Sequence, residues 1–127
     1  MSEDPRHLLG EFGEDIACRE LCRLGYDILA RRHRTRYGEI DVIARDGRTT
    51  VFVEVKTREG SAFGSGADAV GSRKQGRVAR MAIDYAARNG LLDTPCRIDV
   101  VAITVGEGGE GAPQIEVYRN AFDVRAT

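Results

Sequence analysis

At 127 residues the chain is long enough for one domain with an independent core and too short for two of ordinary size. With 42% hydrophobic and 31% charged residues it has the balance of a soluble globular protein, and a formal net charge of −1 excludes a globally cationic surface, so any affinity for a polyanion must come from local clusters of arginine. No stretch approaches the roughly 20 apolar residues of a membrane span, and the N-terminal MSEDPRHLLGEFGED is too acidic for a signal peptide, which points to the cytoplasm and to no membrane partner.

Over residues 7–24, Leu8, Leu9, Phe12, Ile16, Ala17, Leu21 and Leu24 recur at three- and four-residue steps, one face of an amphipathic helix that Gly25 ends. Three cysteines, an odd number, suit a reducing compartment. Cys18 and Cys22 fall on this helix and Cys96 stands apart; without a C-x-x-C spacing and with only His7 and His33 to assist, they read as small half-buried hydrophobes rather than zinc ligands. Residues 26–36, YDILARRHRTR, predict a strand with an arginine-rich end. Two β-branched runs, about 39–45 and 50–58, then flank Asp46-Gly47 and predict a hairpin.

Residues 59–71, EGSAFGSGADAVG, are rich in glycine and small side chains and predict a flexible loop. Within and just beyond it GADAVGSR has the G-x-x-x-x-G spacing of a phosphate loop, but Ser72 stands where that loop needs lysine, so the match fails. A second helix is expected from Ser72, where Ser-Arg-Lys-Gln matches a capping box, with Val78, Ala82, Tyr85 and Ala86 as its buried stripe and Asn89-Gly90 as its end. RIDVVAITV, 97–105, predicts a strand parallel to 50–58, joined to it by a right-handed βαβ crossover. A second flexible loop, 106–113, and a short strand QIEVY close the sheet edge. The whole is a single α/β domain, a mixed sheet flanked by helices in the order α-β-β-β-α-β-β.

The stretch GEIDVIARDGRTTVFVEVKTR, 38–58, poses the functional question, because Asp41, Glu54 and Lys56 interrupt strands that should be core. Alternation places Phe52, Glu54 and Lys56 on one face of their strand and Val51, Val53 and Val55 on the other, deeper one. A two-residue Asp46-Gly47 loop pairs Arg45 with Arg48 and sets Asp41 diagonal to Glu54; a four-residue loop, 46–49, sets them directly opposite. Both bring the carboxylates to one face, about 5–8 Å apart at their side-chain origins. Two acids beside an ammonium suit a hard divalent ion, Mg²⁺ or Mn²⁺, which prefers a few carboxylate oxygens plus water and phosphate oxygens. Lys56 would then orient or deprotonate the attacking water, or stabilise charge developing at phosphorus. The competing reading is an intrasheet salt bridge on a solvated face.

Asp41, twelve intervening residues and Glu54-Val55-Lys56 resemble the PD-(D/E)xK nuclease signature, with Ile40 in place of the proline. GEDIA at 13–17, LGYDIL at 24–29, GEIDVIARDG at 38–47, VFVEVKTR at 51–58, Lys74 and RIDVV at 97–101 together are similar to the YraN family of bacterial proteins. That resemblance implies a restriction-endonuclease-like fold and a nuclease role; it also implies that Glu14 adds a carboxylate to the metal site and that Lys74 touches substrate.

Other charged residues are less specific. Glu39 alternates onto the face of Asp41 and is either an accessory ligand or rim. Arg32, Arg34 and Arg36 alternate onto one face, either to contact phosphates or to guard an exposed edge strand. Asp99 sits in IDVVA, a near repeat of IDVIA at 40–44, but no E-x-K strand follows it through a hairpin, so it is expected to hold an arginine or cap a loop. No aromatic platform for base stacking stands out. The expected partner is nucleic acid, DNA ahead of RNA, and small domains of this kind often form homodimers to engage both strands. The alternative function is a nucleic-acid-binding accessory module that does not turn over, or does so only with a partner.

Overall fold

The computed structural model describes residues 5–60, 72–106 and 111–122, with the side chains of 5–9, 72, 73 and 122 outside that description. The elements are α1 (Pro5–Arg23), β1 (Asp27–Thr35), β2 (Gly38–Asp46), β3 (Thr49–Glu59), α2 (Ser72–Arg88), β4 (Cys96–Val105) and β5 (Gln114–Phe122), in the expected order. The strands form one sheet in chain order, antiparallel except for the β3–β4 pair, which is parallel as the intervening helix predicts. Most of the two expected flexible loops, the failed phosphate loop, the Ser72 cap and the side chains of His7, Leu8 and Leu9 lie outside the described residues.

Strand alternation distributes the core over two faces. Ala17 and Leu21 of α1 pack on Val42, Ala44, Val51, Val53, Val101 and Ile103, whereas Val78, Ala79, Met81 and Ala82 of α2 pack with Ile43, Phe52 and Ile98. At about 25 cal/mol per Å² of apolar area, these two layers are the main favourable contribution to folding. The expected stripe of α1 is partly displaced: Phe12 is 49% exposed. The line that meets the sheet is Gly13, Ala17 and Leu21, spaced by four, because small residues let the helix approach β3 closely. A Cβ at Gly13 would lie 1.9 Å from Thr57 Oγ1 and 3.1 Å from Thr57 Cβ. Gly25, at φ +95, ends α1 in a Schellman pattern, with Gly25 N–H on Cys22 O and Tyr26 N–H on Leu21 O.

Asp99 is structural, as expected. Completely buried, it accepts both Arg97 Nε (2.9 Å) and Arg97 Nη2 (3.0 Å), the Tyr26 hydroxyl (3.1 Å) and the Asn120 amide (2.9 Å). Asn120 has φ +52, and the β4–β5 register shifts between Ile98 and Val100. This bulge carries β5 well past the predicted QIEVY.

The β2–β3 register decides the site. Asp46 pairs with Thr49 around Gly47-Arg48, and Gly47 supplies φ +63 at the first loop position, as a type II′ turn requires. The pairs continue through Arg45–Thr50 to Val42–Val53, which sets Asp41 opposite Glu54 rather than diagonal to it. One rung is irregular in both β1 and β2. His33 (β1) and its partner Ile40 (β2) face α2, yet Arg31 and Val42, two positions along, face α1. Alternation therefore breaks at the intervening Arg32 and Asp41, and Arg32 takes φ +51.

The close approach of α1 generates a prediction. Replacing Gly13 with alanine raises helix propensity by about 1 kcal/mol, yet the clash with Thr57 outweighs it, so thermal unfolding should show net destabilisation of about 1–2 kcal/mol. An unchanged or raised melting temperature would contradict this packing.

Candidate active site

Pairing between β2 and β3 ends at Val42–Val53, while β3 continues beside β4 to Glu59. Beyond that point the two strands part, and Val55 N–H donates to Asp41 Oδ2 at 2.8 Å instead of to a backbone carbonyl. Glu54 follows Phe52 on the α2 face and is 1% exposed. Its Oε2 lies 3.4 Å from Lys74 Nζ, and its Oε1 is buried with no hydrogen-bond partner among the described residues. The Asp41 carboxyl lies near enough for its charge to act on Glu54, whose Oε1 faces no donor. Lys56 and Lys74 are likewise side by side. Glu14, Asp41, Lys56, Thr57 and Lys74 line a cleft of about 380 Å³ where the strands part.

The electrostatics follow from burial. Desolvation pushes the Glu54 carboxyl up to about 8, the neighbouring Asp41 adds to the rise, and Lys74 opposes it. Burial pulls Lys56 down, and the Lys74 ammonium lowers it further. Desolvation is the largest single influence on Lys74, but the charges of Glu54 and Asp41 and hydrogen bonding to Lys56 and Glu54 together outweigh it and raise the lysine. One lysine is thus held cationic and the other displaced toward neutrality. The donor set suits a hard dication: Asp41 lines a cleft open to water and phosphate oxygens, and Glu54, on the opposing rung, is buried beside it with one oxygen that lacks a donor.

The other predicted residues are distributed differently. Glu14 lines the cleft but accepts Arg32 Nε at 2.8 Å and lies 3.7 Å from Arg31; among the described residues no group of three or more acids, histidines or cysteines gathers as a metal cluster. Glu39 does not share the niche of Asp41: alternation breaks between them, and Glu39 lies 3.6 Å from its cross-strand neighbour Arg34. The arginines of the predicted stripe are engaged within the chain. Arg32 turns to Glu14 and Glu11, Arg34 to Glu39, and Arg36 lies past the end of β1 over the Tyr37 ring. Sequence reasoning missed the Lys74–Glu54 pair, although a lysine in the first turn of the predicted helix was its signal, and the Arg32–Glu14 pair, whose left-handed backbone has no signature in an arginine.

A second hollow, about 550 Å³, is lined by Asp15, Cys18, Arg19, Cys22 and Arg31. Its acid is tied to Arg31 at 2.8 Å and burial pushes the Cys18 thiol up, so it brings together neither carboxylates nor a reactive thiolate.

A family model described as "Uncharacterised protein family UPF0102" matches residues 13–103, a span that takes in Glu14, Asp41, Glu54, Lys56 and Lys74. The chain belongs to the UPF0102 family. This bears out the resemblance to YraN proteins. A UPF0102 protein of Rhodococcus jostii (strain RHA1) is 47% identical over 114 residues, covering 90% of this chain and 95% of the relative. One from Geobacter sulfurreducens is 45% identical over 117 residues, covering 92% and 90%. Among solved structures, Pyrococcus furiosus SfsA in complex with Ca²⁺ superposes with a TM-score of 0.44 at 18% identity, over 90% of this chain and 63% of that chain.

The raised Glu54 has a thermodynamic consequence. Between the ordinary value of 4.5 and about 8, the metal-free folded state holds a proton that the unfolded chain has released, so Glu54 makes stability fall as pH rises through that window. In urea unfolding at pH 5 and pH 8, Glu54→Gln should remove this part of the decline and exceed the metal-free wild type at pH 8 by about 1–3 kcal/mol. Parallel profiles for the two proteins would show that Glu54 ionises without penalty.

Proposed function

We propose that this protein is a divalent-metal-dependent nuclease that hydrolyses phosphodiester bonds of nucleic acid in the cytoplasm. The observation that carries this reading is the convergence of Asp41, which lines an open cleft with Lys56, on the buried Glu54, one of whose oxygens has no partner. The mixed sheet with a helix on each face, and the acids at the point where two strands part, support the restriction-endonuclease-like interpretation of the Asp41…Glu54-Val55-Lys56 signature. Asp41 and Glu54 would hold Mg²⁺ or Mn²⁺, which when bound supplies Lewis-acid polarisation of the scissile phosphate. Glu14, at the rim, would join them only by releasing Arg32.

The chain's own residues handle the attacking side of the reaction, while the sugar oxygen that departs as its P–O bond breaks takes a proton from solvent. Lys56, displaced toward neutrality, accepts a proton from the water that attacks phosphorus. Lys74, held cationic and half exposed, donates to a phosphate oxygen as negative charge accumulates there. DNA is the favoured polymer.

A second reading has one observation in its favour: Lys74 already offsets the charge of Glu54 at 3.4 Å, as a metal would, which suits an accessory module that binds nucleic acid without cutting it. A cleavage assay with Mg²⁺ on single-stranded, branched and duplex DNA and RNA separates the two. The nuclease reading predicts cleavage that is abolished in the Asp41→Asn, Glu54→Gln double variant and reduced about 10²–10⁴-fold in Lys56→Arg, which cannot give up its proton. Undiminished activity in the double variant, or salt-sensitive binding of every substrate with no cleavage, would reject it.

A further inference from the structure

The turn between β1 and β2 presents an aromatic ring that the hydrolytic chemistry does not use. Tyr37 is 36% exposed, and the Arg36 guanidinium lies 5.1 Å from its ring centroid. The turn is fixed by one hydroxyl: Thr35 Oγ1 donates to Gly38 O at 2.9 Å and accepts from Tyr37 N–H at 3.0 Å. It is also continuous with the cleft. An added Cβ at Gly38 would meet Arg77 Cδ at 3.6 Å, so the Arg77 stem lies against the turn. Lys74, one helical turn earlier, reaches Glu54 at 3.4 Å. Along β2, Tyr37 lies four residues from Asp41, a distance of about 13 Å, or a few nucleotides.

The arginines of β1 and those beside this path differ in their partners. Arg31, Arg32 and Arg34 are engaged by Asp15, Glu14 and Glu39. No carboxylate partner is found for Arg36 or Arg77 among the described residues, and both are exposed. Lys74, paired with Glu54, and Arg77 and Arg36, without a carboxylate partner, therefore form a row of cations that begins in the cleft and ends at a part-exposed aromatic ring with Arg36 over one face.

Resting on the nuclease reading, we infer that this row is the entry path of a single-stranded polynucleotide. The cations follow the backbone and Tyr37 stacks on an unpaired base. In a duplex every base is already stacked and offers Tyr37 no face. The substrate is therefore single-stranded, or frayed next to the scissile bond.

Fluorescence anisotropy of labelled oligodeoxyuridylate, oligouridylate and a hairpin duplex, read in EDTA so that nothing is cut, tests this. Both single strands should bind more tightly than the duplex, and the tighter of the two identifies the sugar. Tyr37→Ala should weaken single-strand binding about tenfold with an unchanged melting temperature, Tyr37→Phe should restore it, and duplex binding should not respond to either. Arg77→Glu should weaken binding and flatten its salt dependence. Wild-type affinity in Tyr37→Ala, preference for the duplex, or no single-strand binding at low salt would overturn the inference. Because metal is absent, a protein that binds in this way but never cleaves would reject the nuclease reading and leave the entry path standing.

Discussion

The carboxylate of Asp41 takes the place of a strand backbone. Where the β2–β3 ladder ends, it accepts the Val55 amide that would otherwise lack a partner on that side, and this bond allows the two strands to part without leaving a buried donor unpaired. A hydrogen bond to a charged acceptor contributes about 1.5–3 kcal/mol. Had pairing run on past Val42–Val53, β2 would lie alongside Glu54 and close the cleft. The same group thus ends the sheet, opens the site and fixes one wall of it.

Opposite that wall, Glu54 is held by the requirements of the core around it. Phe52 before it is packed against α2, the valines on either side belong to the α1 face, and Glu54 cannot turn to solvent without disrupting both. A carboxyl placed beside another carboxyl away from water is destabilising, and Lys74 offsets only part of that cost. The site accordingly favours an added cation or proton. Arg32 is a second local sacrifice: a non-glycine residue at φ +51 carries strain of about 1–3 kcal/mol, held here by Glu14 and Glu11. In return Glu14 is fixed at the rim of the cleft.

Much of this was legible in the sequence because it depends on periodicity. The β2 and β3 runs, the parity of Asp41 with Glu54, the parallel β3–β4 pair and the role of Asp99 all follow from alternation and from what a buried charge requires. Residues off the regular lattice were not legible. Arg32 and Asp41 break alternation together on one rung, so Glu39, read from a strict period of two, pairs with Arg34 instead of joining Asp41, and Arg36 lies past the end of β1. The apolar periodicity of α1 includes Phe12 in the core face, whereas the close contact belongs to Gly13, which matters because it has no side chain. Tyr37 was overlooked because a single aromatic in a turn is conspicuous only once Arg77 and Lys74 are seen beside it.

The central claim, that Asp41 and Glu54 jointly grip a divalent cation, is tested most directly by anomalous diffraction from crystals soaked in Mn²⁺. The account predicts a peak in contact with carboxylate oxygens of both residues, with the Lys74 ammonium displaced from Glu54. No peak at that position at saturating Mn²⁺, or a Glu54 that keeps its lysine while the ion sits elsewhere, would contradict it.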